Sequence, residues 1–392
     1  MKVLVIHTSY QYKGGEDTVV AEEIKLLQSA GITVELLEFN NYKNALIKLL
    51  ALPFNLSSYL KTKKTITSFQ PDIVHIHNLH FGGSPSVIYA IKRSKVPFVI
   101  TLHNFRLLCP SGILFFNNKI FLDSLHQEFP WKAIGLGVYK NSKLITFWLS
   151  LSMYLHNKFG TWKICNRYIV LSGHARKLFL NSRLGLKSNQ LVVKPNFCSV
   201  PVLQEQKTDR YFLYVGRLSE EKGMMLLLSV FSSSSYKIKI AGDGPLKDEV
   251  MRYSSKYPNI EFLGILNKAK VFTLLQKCSA LVFPSIWFEG MPLTIIEAFA
   301  CGTPVISSKI GAMETMIVSG YNGLHFEVQS EAGLKSKLDE WYNLNEDQIY
   351  IYRLNARKTY ETYYTPEENV KQLLTVYNEV INEINMLPLV SL

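Results

Sequence analysis

The run Glu289-Gly290-Met291-Pro292-Leu293-Thr294-Ile295-Ile296-Glu297-Ala298-Phe299-Ala300-Cys301-Gly302-Thr303-Pro304-Val305-Ile306 decides how the rest of the chain is read. It sets two carboxylates, Glu289 and Glu297, eight positions apart across a Gly-x-Pro turn and the start of a helix. Pro292 suits the first helical position, where a missing N–H costs nothing. Glu289 then falls on the loop before the helix and Glu297 in its second turn. A Gly-x-Pro-Val-Ile step into a strand follows. The spacing predicts both carboxylates at a cleft edge above a sheet, with the positive helix end between them. Such a site suits a polyhydroxylated sugar on one side, a ribose on the other and phosphates between. For two isolated glutamates, a helix cap and a solvated surface charge are the plain alternative. The frame of Gly290, Pro292, Ala298, Gly302 and Pro304 favours a site.

Working outward, the same alternation of apolar β-rich runs and helical stretches fills both halves of the chain. In the first half, strands are expected at Val3–His7, Thr33–Glu38, Ile73–His77, Phe98–Leu102, Tyr168–Leu171 and Gln190–Lys194. A helix from Asp17 to Ala30 ends at Gly31, and another starts at Ser84-Pro85. Residues 107–160 fit the pattern poorly and read as an insertion with helical parts. A turn-rich link from Pro195 to Thr208 separates the halves. Strands then recur at Tyr211–Val215, Lys237–Ala241, Ile260–Leu263, Ala280–Phe283, Pro304–Ser307 and Gly323–Glu327. The prediction is α/β: two Rossmann-like doubly wound domains, 1–197 and 208–365, facing a central cleft. Most of the chain from Glu331 reads as helix, ending in a helical segment, 366–392.

With 392 residues, nearly half of them apolar, the chain has ample material for two cores. Its start is too quickly polar for a signal peptide, and five scattered cysteines show no metal spacing. A reduced, cytoplasmic protein is the expectation. Charge divides unevenly. Residues 1–200 hold 24 Lys and Arg against 9 Asp and Glu, a formal +15, whereas residues 201–392 hold 19 against 22. Lysines interleave with aromatic and aliphatic residues from Tyr42-Lys43 to Lys64 and from Trp131-Lys132 to Trp162-Lys163. That pattern suits an anionic membrane surface better than nucleic acid, and a generally basic soluble surface is the third reading.

Motif residues cluster after expected strands. Gly14 and Gly15 follow the first strand and open a helix, where backbone can approach a phosphate. His103 and Asn104 close the Phe98–Leu102 strand. His75, His77 and His80 alternate, but no carboxylate or cysteine stands near them in sequence, so core and cleft-lining roles are expected. Arg217 ends the first strand of the second domain, and Lys222 enters the next helix in Glu-Lys-Gly. A guanidinium fork and an ammonium point charge together suit a diphosphate. Gly242 lies in a Gly-Asp-Gly-Pro turn. Leu266 follows Phe262-Leu263-Gly264-Ile265, a segment suited to packing a base. Ser172 and Asn196 follow late strands of the first domain as candidate acceptor or cleft residues. No Asp-x-Asp occurs, so the usual carboxylate pair for a diphosphate-bound cation is missing.

The Glu289–Glu297 stretch, the Gly-Arg-Leu…Glu-Lys-Gly frame and the Gly14-Gly15 turn resemble family 4 of the retaining, nucleotide-sugar-dependent glycosyltransferases, which have the GT-B fold. Leu102-His103-Asn104-Phe105-Arg106-Leu107-Leu108-Cys109-Pro110 looks like a bacterial subgroup that builds O-antigens, capsules and exopolysaccharides. The resemblance implies that Glu289 binds donor-sugar hydroxyls, Glu297 the ribose, and Arg217 with Lys222 the leaving diphosphate. It places His103 by the donor sugar and Gly14 beside diphosphate and acceptor. Gly15, Gly242, Leu266, Gly290, Met291, Pro292 and Leu293 become donor contacts, and the 366–392 helix returns to the first domain. It implies transfer with retention to a hydroxyl of a growing, lipid-linked glycan; peripheral attachment to the inner face of the plasma membrane is a separate expectation from the basic first half. No metal and no other cofactor are expected. A nucleotide-sugar epimerase of the same architecture and a basic nucleic-acid-binding protein stay as alternatives.

Overall fold

A computed structural model describes residues 1–9, 14–40, 51–200 and 209–386. These divide into two units. One comprises 1–116, 121–196 and the chain from 367 on, and the other Asn117–Ile120 and Phe197–Pro366.

The first unit holds strands β1 (Lys2–Ser9), β2 (Thr33–Asn40), β3 (Ile73–Ile76) and β4 (Phe98–Leu102). β5 (Phe115–Phe116) comes next, β6 (Lys119–Ile120) is assigned to the other unit, and β7 (Arg167–Val170) and β8 (Leu191–Val193) follow in this one. The main sheet runs β2-β1-β3-β4-β7-β8, parallel throughout. All residues of β3 and β4 are buried, the mark of a parallel sheet covered on both faces, whereas edge strand β2 is largely open.

In the second unit, β9 (Phe212–Val215), β10 (Ile238–Ala241), β11 (Ile260–Gly264), β12 (Ala280–Phe283), β13 (Val305–Ser308) and β14 (Gly323–Phe326) pair as β11-β10-β9-β12-β13-β14. These pairings are also parallel. In each sheet the strand order reverses beside the unit's first strand, between β1 and β3 and between β9 and β12. Loops leaving the carboxyl ends of those strands are where open α/β sheets bind ligands.

All twelve expected strands form, with ends within two residues. The link as far as Thr208 and the Tyr42-Lys43 pair fall partly or wholly outside the described residues. Three local expectations need correction. The first helix spans Gly15–Ser29, starting two residues early because the Asp17 carboxylate accepts the Gly14 N–H at 2.8 Å. Pro292 is the cap of the Leu293–Ala300 helix, one place ahead of the expected position. The β5–β6 hairpin was not foreseen: its strands are too short for a period, and Asn117 and Asn118 both take positive φ, as tight hairpin turns require. Side-chain caps close other helices, Asn55 accepting from Ser58 N–H at 3.2 Å and Asn267 from Lys270 N–H at 2.9 Å, each worth about 1 kcal/mol.

The final helix, Pro366–Met386, contributes Leu373, Val376, Tyr377 and Val380 to the first unit's core beside Val3, Val5, Ile73, Val99 and Ile169. Among the described residues no helix is long and apolar enough to cross a membrane.

Candidate active site

In the second unit, two loops leave the sheet at the reversal of strand order. One follows β9 as Gly216-Arg217-Leu218 and continues into a single 3-10 turn, Glu220–Lys222. The other follows β12 from Pro284 to Pro292. Their backbones are fastened together. Ile286 N–H donates to the Glu221 carbonyl at 2.9 Å. Gly223 closes the turn at φ +72°, where a Cβ would stand 1.9 Å from the Pro284 carbonyl oxygen. Only glycine fits there.

This fastening brings Lys222 Nζ to 2.6 Å from Glu289 Oε1. Ser285 Oγ at 2.8 Å and Trp287 Nε1 at 2.7 Å donate to the same oxygen. Glu289 is only 6% exposed, so three donors replace the water its carboxylate has lost. Its other oxygen, Oε2, has no protein partner among the described residues. Lys222 also lies 5.3 Å from the Trp287 ring centre and uses one of three N–H donors on Glu289. Sequence reasoning kept these two residues on separate tasks; the structure makes them an ion pair.

Arg217 is exposed on the adjoining turn. Its carbonyl accepts from Tyr214 Oη at 2.7 Å, and its guanidinium meets no partner among the described residues. Gly242 has a packing reason of its own: at φ +148°, a Cβ would lie 1.8 Å from the Gly216 carbonyl oxygen. Glu297 is half-buried in the second turn of the Leu293–Ala300 helix and forms no hydrogen bond or ion pair among the described residues. Burial pushes its carboxyl above the ordinary 4.5, partly offset by Lys268. Gly290 is half-buried and Pro292 buried, while Met291 and Leu293 pack on the core beneath. Leu266 is half-buried in the turn before the Lys268–Lys277 helix.

In the first unit, Gly14 and Gly15 stand at the start of the first helix, and a Cβ on Gly14 would meet nothing within 4 Å. Packing does not demand glycine at that position. Ser172 is buried and caps the Gly173–Leu180 helix, accepting from Ala175 N–H at 3.2 Å. Asn196 is 6% exposed, and Asn104 Oδ1 accepts from Arg106 N–H at 3.0 Å.

His103 borders a cavity of about 60 Å³ together with His77, His80, Leu149 and Trp162. Its Nε2 lies 3.0 Å from His77 Nδ1. Burial, then His77, holds the His103 imidazole well below its ordinary value. Behind His77 stands a carboxylate that the local sequence did not disclose. Glu23 Oε1, from the first helix, is 3.1 Å from His77 Nε2 and 3.4 Å from His75 Nδ1. Its Oε2 accepts from Lys194 Nζ at 3.0 Å, and Asn369 Oδ1 accepts from the same ammonium at 3.0 Å. Burial alone would raise the Glu23 carboxyl, but Lys194 and His77 outweigh it and hold the group well below its ordinary value. Glu23, His75 and His77 have the spacing of a metal-binding trio, but the Lys194 ammonium already balances their single carboxylate. His80 stands apart from them, near Arg106.

Sequence reasoning missed Glu23, Lys194, Ser285 and Trp287. A signal existed for Glu23: it shares the buried helix face of Val19, Val20 and Leu27. A charge on an apolar stripe implies a buried partner. The donors to Glu289 left no such mark, because the loop that aims them has no period.

A family model described as Glycosyltransferase Family 4 matches residues 13–200, and one described as Glycosyl transferases group 1 matches 199–359. An uncharacterised glycosyltransferase of Methanocaldococcus jannaschii is 26% identical, over 88% of this chain and 90% of its own length. The O-antigen chain mannosyltransferase C of Escherichia coli is 29% identical over 45% of this chain and 49% of its own. The D-rhamnosyltransferase WbpZ of Pseudomonas aeruginosa is 30% identical over 41% and 43%. Among solved structures, sucrose-phosphate synthase from Thermosynechococcus elongatus superposes with a TM-score of 0.68 at 16% identity, covering 97% of this chain and 99% of that one. Anabaena HepE in complex with UDP and glucose gives 0.63 at 15%, covering 95% and 98%. The two family models meet end to end across both units, and the chain belongs to the family 4 glycosyltransferases with their GT-B fold.

Proposed function

We propose that the protein transfers a sugar from a nucleoside diphosphate donor to a hydroxyl of a lipid-linked surface glycan, with retention and without a metal ion. One observation carries this reading. At the reversal of strand order, Glu289 has one oxygen held by three donors and the other without a partner among the described residues, beside the Lys222 ammonium and an Arg217 guanidinium that likewise meets none of them. A fixed carboxylate oxygen suits a sugar hydroxyl. A fork and a point charge suit the pyrophosphate that gathers charge as the glycosidic bond breaks. Glu297 takes the ribose and His103 the donor sugar, as the resemblance assigns. No side chain is a convincing nucleophile, so same-face attack is favoured, with the leaving phosphate taking the acceptor proton.

The acceptor class rests on relatives. Besides the O-antigen mannosyltransferase and the rhamnosyltransferase, a putative teichuronic acid glycosyltransferase of Bacillus subtilis is 26% identical over 66% of this chain. Peripheral attachment to an anionic membrane suits the basic first half. Trp131, Leu144 and Phe159 are 66%, 73% and 71% exposed, on segments that also carry Lys132, Lys143 and Lys158. Of these lysines, Lys132 is matched by Asp123 and Lys158 by Glu128, so fewer charges are free than the sequence suggests.

A screen of nucleotide sugars, with product analysis, tests the reading. Glycosyl transfer to a lipid-linked saccharide, or slow donor hydrolysis without one, is expected. Conversion of the donor to its epimer without an acceptor would overturn it.

A further inference from the structure

The Glu346–Tyr363 helix of the second unit buries one face and leaves the other open. On the inner face Ala356, Thr359 and Tyr360 are buried, and Arg357 Nη1 donates to the Ala300 carbonyl. Opposite them, Asp347, Ile351, Leu354 and Lys358 follow one another at steps of four, three and four residues, with Tyr350 beside them, and all five are exposed. That spacing is the seam of a helix that lies along another helix. Tyr350, Ile351 and Leu354 are 62%, 56% and 50% exposed. Scattered apolar side chains on a surface are ordinary, whereas adjoining ones in the middle of a stripe mark a contact.

The two charges that end the stripe identify what covers it. Other charges on these outer helices are matched within a turn: Lys335 with Asp339 at 2.5 Å, Lys337 with Glu340 at 2.7 Å and Arg357 with Glu361 at 2.7 Å. The side chains of Asp347 and Lys358 have no such partner among the described residues. They stand roughly 16 Å apart along the helix axis, too far to pair with each other.

A second copy of the same helix, laid antiparallel, supplies what both ends lack. With the two-fold axis between residues 352 and 353, Asp347 meets the second copy's Lys358, and Ile351 meets its Leu354. Symmetry makes each contact twice. A parallel pair would set Asp347 against Asp347 and Lys358 against Lys358, so the charges select the direction as well as the register. They also argue against a lipid surface. An anionic membrane draws cations alone, and this helix presents Glu346, Asp347 and Glu361 on its exposed side.

We propose that the protein forms a two-fold symmetric dimer through the outer face of the Glu346–Tyr363 helix, with Tyr350, Ile351 and Leu354 at its centre and Asp347 paired with the second copy's Lys358. One helix face is small for a permanent interface, so the dimer exchanges with monomer as concentration changes. It is independent of the transfer reaction, because the stripe carries no residue of the candidate active site.

Sedimentation equilibrium of the full-length protein at low salt, over a wide range of concentration, tests this. The wild type should show a monomer–dimer equilibrium. Asp347→Lys and Lys358→Asp should each weaken it by about tenfold or more, since two ion pairs are lost and two repulsions arise in every dimer. An equimolar mixture of the two variants should dimerise as the wild type does, because every contact between positions 347 and 358 is then again opposite in charge. Recovery in the mixture also shows that both variants are folded. A wild type that stays monomeric at the highest concentration overturns the proposal. A dimer indifferent to the single reversals overturns it, and so does one that the mixture fails to restore.

Discussion

Lys222 Nζ lies 2.6 Å from Glu289 Oε1, and Glu289 is almost wholly withdrawn from water. Replacing Lys222 with Ala leaves that carboxylate with two neutral donors, Ser285 and Trp287. Turnover should fall by about a hundredfold or more, the scale for losing one charge-stabilising donor. The effects of Lys222→Ala and Glu289→Gln should also be non-additive, with a coupling of about 0.5–3 kcal/mol in a double-mutant cycle of turnover. Strict additivity would separate the two residues in function.

Arg217 makes the opposite case, because it is exposed and its guanidinium meets no partner among the described residues. Arg217→Ala should lower turnover by roughly a hundredfold while the melting temperature stays within the scatter of ordinary surface changes. Calorimetry and steady-state kinetics on one preparation check both halves. Near-normal turnover would remove Arg217 from the leaving-group site.

Gly223→Ala asks whether the fastening of the two loops matters. The new Cβ would collide with the Pro284 carbonyl at a positive φ, so a destabilisation of about 3 kcal/mol or more is expected. Because the same turn carries Lys222, activity should fall even at temperatures where the variant stays folded. Denaturant unfolding and turnover measured side by side read these effects.

Glu297 gives a pH-dependent outcome. An acid whose folded value is raised contributes stability below its unfolded value and loses it as pH climbs through the folded one. Burial raises Glu297 above 4.5, so its ionised form burdens the fold at neutral pH. Glu297→Gln should therefore melt with the wild type in acid and above it near neutrality, while donor KM rises. A variant that melts lower at neutral pH would show that the carboxylate is stabilised where it sits.

Metal independence is tested by chelation. With Arg217 and Lys222 as the cationic partners of the pyrophosphate, transfer should continue at full rate in excess EDTA. Loss of activity that magnesium restores would require a cation at the diphosphate.

Much of this was legible before any coordinates. The buried runs at Phe98–Leu102 and Ala280–Phe283 announce parallel strands because both faces of such a sheet must be apolar. Glu289, Lys222 and Arg217 were legible because glycine and proline frame them at strand ends. Side-chain partnership was not. Glu23 and His77 are 54 residues apart in sequence, and nothing local says that the first helix lays its one buried carboxylate against the end of β3. The β5–β6 hairpin escaped for another reason, since two-residue strands carry no period to detect.

The Pro366–Met386 helix has a consequence for biosynthesis. Tyr377 and Asn369 complete contacts to His75 and Lys194 inside the first unit. A ribosome that has released the amino-terminal sheet has therefore not yet delivered a piece needed to seal it. The second unit can fold while the first still waits for residues 366–386, so apolar surface on the amino-terminal sheet stays uncovered until that helix has been made.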